Sequence, residues 1–490
     1  MATVTRTETE PCVAGHRRLG QRARLDAAYA PSLMVTFDPL ANPALQRELP
    51  GLATAFDGDR MGALLSQALG PPISDCCPGK ATYLPGDSCI VRYQLRTGGV
   101  DHIVCGRVFP DRAASASYVR DQLAPLADRV RGRPGLEPFS ALAAHLEPLA
   151  MAVSVFPVDG DLPMLADATD PQRMLGVLSA RLGARLDGCQ IEVVAYPRRG
   201  RCVLRYELQP GRTIYGKITA AGEGARTPEV IERLRASMEG DRRVPVAIPR
   251  SLGYDPDLRQ LLMEPLRGTV EIARLLRAWG KGEAVAAALS LEELLDACAE
   301  TSAMLHTSGV ALGAARTFEM EVAGLRHELG GIRRLDGDLA DRLEAWLGRA
   351  EALASCAPPL RMGLAHGDFT YSQVVFDERG TAGLLDFDDI CQAEPALDLG
   401  QFTAYLKLAG VKRSGQALRA VPLADRFLAA YLKATSEPDP EVIADRHAAY
   451  ELCSFVRMAE HAWYKLKAAR LDHVLNALEG ASWWQRRALT

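Results

Sequence analysis

The chain repeats itself. Leu65–Leu95 lies on Leu178–Leu208 at a constant offset of 113, and ten of the 31 positions are identical: Leu65, Ser66, Leu69, Gly70, Cys76, Tyr83, Cys89, Arg92, Tyr93 and Leu95. Chance would give about two. The likeness resumes after a shorter turn, where Cys105-Gly106-Arg107-Val108 matches Tyr215-Gly216-Lys217-Ile218. It returns once more at Phe156-Pro157-Val158-Asp159-Gly160, which resembles Glu264-Pro265-Leu266-Arg267-Gly268. A stretch of about 100 residues is therefore duplicated, and both copies should take one local fold.

Each copy reads as a helix followed by antiparallel strands. In the second, Cys202, Leu204, Tyr206 and Leu208 alternate with Arg201, Arg205 and Glu207, the period of a half-buried strand. Pro210-Gly211-Arg212 is a turn, and Thr213–Thr219 returns with Tyr215, Lys217 and Thr219 on one face. A helix follows: Thr227 can cap it, Pro228 suits its first position, and Val230, Ile231, Leu234 and Met238 make its apolar stripe. Gln260–Glu264 is a further strand. From about Thr269 the pattern turns helical: Leu291, Leu294, Leu295 and Cys298 share one face, and Leu339–Ala354 and Glu441–Lys467 also read as helices. One short β-region interrupts them, Gln373–Phe376 and Gly383–Phe387 about the turn Asp377-Glu378-Arg379-Gly380.

Composition narrows the function classes. The 490 residues suit two or three domains, and 48% apolar with 24% charged residues excludes a disordered or fibrous chain. A net charge of −4 argues against a protein built to grip nucleic acid. No apolar run is long enough to span a membrane, and Met1–Arg18 lacks the apolar core of a secretory signal. The eleven Cys form no C-x-x-C pair and read as buried residues of a reducing, cytoplasmic compartment. Lysine is scarce, 8 against 49 arginines, so Lys217 on a strand stands out.

The chemistry concentrates in His366-Gly367-Asp368-Phe369-Thr370-Tyr371-Ser372-Gln373, then Leu384-Leu385-Asp386-Phe387-Asp388-Asp389, then Pro395-Ala396-Leu397-Asp398-Leu399. Asp368 sits on a polar loop between apolar segments. Gln373 opens one strand of a hairpin and Asp386 closes the other, so the hairpin brings them to one mouth. Two carboxylates and an amide oxygen suit Mg²⁺, with waters and phosphates completing six positions.

These motifs resemble those of the aminoglycoside phosphotransferase and choline kinase-like family, relatives of the protein kinases. The family pattern is H-x-D-x-x-x-x-N followed about 20 residues later by D-F-D or D-W-E; here Asp386 follows Asp368 by 18. Leu305-His306 and Pro-x-x-Asp-Leu are similar to family features, and the likeness covers roughly residues 178–470. Gln373 departs from the usual Asn, as it does in bacterial maltokinases, which this chain resembles there.

The resemblance implies an α+β, bilobal protein kinase-like fold: a small antiparallel β N-lobe (169–268) and a mainly helical C-lobe (269–490), preceded by a degenerate duplicated N-lobe-like domain (1–168). It implies ATP and Mg²⁺ as cofactors and a small hydroxylated acceptor (a sugar, aminoglycoside or amino-alcohol), with no nucleic-acid or membrane partner. Asp368 would take the acceptor's proton, and Gln373 and Asp386 would hold the metal. Lys217 would bind phosphate, paired with Glu232 or alternatively Glu229. Met263, Glu264 and Leu266 would form the adenine hinge. Read from its own residues, the turn Pro197-Arg198-Arg199-Gly200 joins two strands and could cover phosphates with backbone N–H groups, although it lacks a G-x-G. His366 and Asp398 would support the loop, while Asp388 and Asp389 stay open between support and solvation. A non-catalytic nucleotide-binding module is the alternative. Protein kinase activity fits less well, for want of an A-P-E-type activation segment.

Overall fold

The computed structural model describes residues 39–198, 200–238, 246–285, 287–415, 417–435 and 440–479. The expectation for Met1–Arg18, and Arg199 of the expected phosphate turn, lie outside them. The chain forms two compact units. One holds Met1–Thr169, Ile191–Arg199 and Tyr464–Ala469; the other holds Asp170–Gln190, Gly200–Trp463 and Arg470–Thr490. The residues expected as N-lobe and C-lobe thus fall mostly into one unit.

The first unit carries a helix, Gly58–Leu69, capped by the Asp57 carboxylate and ended at Gly70, whose φ is 104°. Then come strands β1 (Asp75–Leu84), β2 (Ser88–Thr97), β3 (Val100–Val108), β4 (Ala143–Leu146) and β5 (Met151–Val155). They form an antiparallel sheet in the order β1-β2-β3-β5-β4.

The second copy runs through helix Pro171–Leu182, capped by Asp170 with Pro171 opening its first turn, and strands β6 (Gly188–Arg198), β7 (Arg201–Gln209) and β8 (Arg212–Thr219). Helix Thr227–Met238 precedes β9 (Ser251–Asp255) and β10 (Gln260–Met263). The sheet order is β6-β7-β8-β10-β9, the order of the first sheet. One packing contact explains two of the repeated residues. A Cβ on Gly216 would lie 2.7 Å from the Tyr206 ring, and one on Gly106 would lie 2.9 Å from the Tyr93 ring. In both copies a tyrosine of the second strand covers bare backbone on the third, a fit that only glycine allows.

The rest of the second unit is mainly helical. Helix Leu291–Thr307 begins with a capping box between Ser290 and Glu293, and it buries Leu294, Leu295 and Cys298 as the spacing predicts. They join one apolar core with Phe369, Leu384, Phe402 and Phe427. Four short pieces the periodicity does not reveal, or places only roughly, hold the site: β11 (Ala315–Arg316), β12 (Gly363–Ala365), the hairpin β13 (Val374–Phe376) with β14 (Ala382–Leu384), and β15 (Cys391–Ala393). β15 lies between β11 and β12 in a small sheet. The helix expected over Glu441–Lys467 is Pro440–Tyr464, followed by a separate helix, Ala468–Glu479. Among the described residues no helix is long and apolar enough to cross a membrane.

Candidate active site

The loop His366–Gln373 leaves β12 and turns sharply at Gly367, where φ is +78° and a Cβ would fall 2.1 Å from the Asp389 carbonyl oxygen. No side chain fits there. Phe369, fully buried, stacks on Phe402 at 5.4 Å between centroids and anchors the loop in the core. Asp398, on helix Ala396–Ser414, is also fully buried. Its carboxylate accepts the His366 N–H at 2.7 Å, the Gly367 N–H at 2.9 Å and His306 Nε2 at 3.1 Å. Burial opposes its charge, but the His306 hydrogen bond and the charges of His306 and His366 prevail and hold Asp398 below the usual carboxylate range. The His366 ring donates to the Leu385 carbonyl at 2.8 Å, joining the loop to the end of the hairpin. His366 and Asp398 therefore hold backbone.

Asp368 accepts from Gln401 Nε2 at 2.6 Å and from Gln373 Nε2 at 3.3 Å. Burial raises its pKa, and the nearby Asp389 and Asp386 charges add to this, while His366 and the Gln401 bond oppose it. A carboxylate poised this way is a better base than an ordinary surface aspartate.

Across from it, Asp386 follows β14 at a φ of 63°, a left-handed conformation that Asp tolerates better than most residues. The Leu385 N–H donates to the Gln373 carbonyl at 2.9 Å, so Gln373 and Asp386 do flank one end of the hairpin. Lys217, on β8, is 6% exposed and places Nζ 2.5 Å from Asp386. The same ammonium also pairs with Asp388. Arg201, the first residue of β7, lies 2.9 Å from Asp386 and 3.8 Å from Asp388. Burial raises the Asp386 pKa, yet Lys217 and Arg201 outweigh it and hold the carboxyl down to about 2. Thr227, at the start of its helix, reaches Asp388 at 3.4 Å.

The helix partner expected for Lys217 is not the one it meets. Glu232 is exposed, because its helix turns Ile231 and Leu234 inward, and Glu229 pairs with Arg233 along the helix surface. Lys217 pairs instead with the hairpin acids Asp386 and Asp388. At the expected hinge, Met263 ends β10, the Glu264 N–H is used on the Arg250 carbonyl at 2.9 Å, and the Glu264 carboxylate pairs with Arg212. Leu266 lies just beyond, in the loop after β10. Two contributors escaped the sequence reading. Gln401 stands three residues after Asp398, a spacing that puts both on one helix face. Arg201 gave only the polar beat of an alternating strand.

Among the described residues no three His, Cys, Asp or Glu side chains are arranged to hold a metal by themselves. A divalent cation arriving with a nucleotide needs fewer, because phosphate oxygens and waters fill most positions. Asp386 and the Gln373 amide oxygen are hard donors of the right kind. The amide nitrogen of Gln373 is committed to Asp368, which leaves the oxygen for a cation.

The fold is of the bilobal protein kinase-like kind, α+β in class, with Lys217 of the sheet meeting the hairpin carboxylate Asp386 and the loop residue Asp368 held by amides. Residues 205–452, just over half of the chain, match the family described as phosphotransferase enzyme family, and the chain belongs to that family. The first copy lies outside the matched residues. The chain is similar to the GDP complex of an aminoglycoside 2'-phosphotransferase of type IIIa, at 12% identity over 63% of this chain and 97% of that one, with a TM-score of 0.42. A macrolide 2'-phosphotransferase of type I is 17% identical over 62% and 95%, with a TM-score of 0.39. A choline kinase from Streptococcus pneumoniae is 12% identical over 63% and 99%, with a TM-score of 0.43. No curated protein sequence matches.

Proposed function

We propose that the chain transfers the γ-phosphoryl group of ATP to a hydroxyl of a small molecule: a sugar, an aminoglycoside or an amino-alcohol. The observation that carries this is the ion pair between Lys217 and Asp386, with Asp368 held nearby by two amide donors. Asp368 accepts the proton of the attacking hydroxyl, and Gln401 and Gln373 aim its carboxylate. Phosphoryl transfer needs positioning and charge neutralisation more than covalent help, so one oriented base suffices. Lys217 binds phosphate, and Asp386 with Gln373 holds Mg²⁺. When bound, Mg²⁺ neutralises charge developing on the phosphate oxygens. Asp398 and His366 fix the loop through its backbone, and Asp388 shares Lys217. The loop from Met263 through Glu264 to Leu266 meets the adenine. Asp386 and Asp388 take the place of Glu232 as partners of Lys217.

The first copy is a degenerate lobe in this reading. Its Arg107, at the place of Lys217, is engaged by Asp87 at 2.6 Å and Asp161 at 3.3 Å. The cavity beside it measures about 10 Å³, room for about one water. The test is Mg²⁺-dependent ATP consumption with a panel of sugars, aminoglycosides and amino-alcohols. Phosphorylated acceptor from at least one class is expected. Nucleotide binding without transfer to any acceptor would leave the non-catalytic module in its place.

A further inference from the structure

Arg201 has no role so far beyond its ion pairs. Its Nη2 lies 2.9 and 3.1 Å from the two Asp386 oxygens, and 3.8 Å from Asp388. The duplicated lobe supplies a comparison within the same chain. At the offset of 113, Ser88 stands where the second copy has Arg201. Ser88 Oγ accepts from Arg107 Nε at 2.8 Å, and Asp87 and Asp161 of the same lobe complete the neutralisation of that arginine. At the two positions aligned with Arg201 and Lys217 the first copy thus has one cation, Arg107, and satisfies it with its own acids. The second copy presents two cations, and the acids that satisfy them come from the catalytic hairpin.

Those hairpin acids are poorly suited to be permanent partners. Asp386 is the carboxylate assigned to the metal, and an oxygen that ligates a cation is not free to neutralise a guanidinium as well. Once Asp386 is engaged, Lys217 keeps Asp388, but Arg201 is left 3.8 Å from that acid and needs a new anion in the same partly buried place. A nucleotide brings one, since its phosphates arrive with the metal. We propose that Arg201 is a phosphate-binding residue, which exchanges Asp386 for oxygens of the nucleotide's phosphate chain when Mg²⁺-nucleotide binds. The difference in exposure suits the exchange. Arg201 is 28% exposed at the start of its strand, where an arriving phosphate can reach it, whereas Lys217 is 6% exposed. A planar guanidinium also offers two parallel donors to phosphate, which an ammonium does not.

The inference rests on the nucleotide-site reading above, and calorimetry separates the two. Wild type, Arg201→Met, Arg201→Lys and Lys217→Met are titrated with a Mg²⁺-loaded, non-hydrolysable ATP analogue and with adenosine. Arg201→Met should weaken the analogue about tenfold or more while adenosine affinity stays within about twofold, and Arg201→Lys should fall between. Undiminished analogue binding in Arg201→Met, with Lys217→Met impaired, overturns the role of Arg201 and spares the site. Equal losses for analogue and adenosine also overturn it, because the residue then shapes the lobe and does not contact phosphate. A wild-type chain that binds neither ligand refutes the site itself, and Arg201 with it.

Discussion

Asp368→Asn should separate catalysis from stability. The carboxylate is disfavoured where it sits: burial, and then the charges of Asp389 and Asp386, raise its pKa. The neutral side chain escapes that cost. It keeps the shape, and although Gln401 and Gln373 both donate to Asp368, either amide can turn to offer its oxygen to the new NH₂ group. Loss of a general base costs roughly 10²- to 10⁴-fold in turnover, about 3–5 kcal/mol of barrier. The melting temperature should hold or rise. The sign follows from linkage: a carboxyl with a raised native pKa contributes stability below its unfolded pKa and loses it as pH climbs through the native pKa. The variant's advantage in Tm should therefore open as pH rises through and above the carboxylate range, and close below it. Steady-state ATP turnover and calorimetric melting from acid to neutral pH make the test. Near-normal turnover in a folded variant would refute Asp368 as the base. Lost turnover with a lowered Tm and lost nucleotide binding would make it a structural residue instead.

Other substitutions probe the remaining parts. Asp386→Ala should abolish Mg²⁺-supported nucleotide binding, measured by calorimetry, whereas Gln373→Asn should be milder because an amide oxygen remains; equal damage would mean that side-chain length governs the metal geometry. Asp398→Ala leaves two buried backbone N–H groups and His306 without their acceptor. It should cost about 3–5 kcal/mol in denaturant unfolding, and a loss under about 1 kcal/mol would show that the loop does not depend on it. Titration of the wild type should give one nucleotide per chain, with Arg107→Ala leaving nucleotide affinity unchanged; a stoichiometry near two would restore a site to the first copy.

The repeat, the strand hairpins and the order of the H-G-D and D-F-D motifs were legible in the sequence because each rests on local patterning. Alternation marks β7, helical spacing marks Leu291–Thr307, and the recurring pairs Tyr93–Gly106 and Tyr206–Gly216 record a packing contact made twice. The loop His366–Gln373 and the acids of the hairpin are close in sequence, so their meeting at one mouth could be anticipated. What only tertiary structure decided is which charges meet across long separations. Lys217 chose Asp386 and Asp388 over Glu232, although Glu232 is far nearer in sequence. Its helix spends its inward face on Ile231 and Leu234, and the carboxylate stays in water. Arg201 and Gln401 carry no periodic signal that tells them from solvated residues. Two-residue strands such as β11 have too few positions to show a period at all. A buried charge takes whichever opposite charge packing brings beside it, and that choice is made after the local elements have formed.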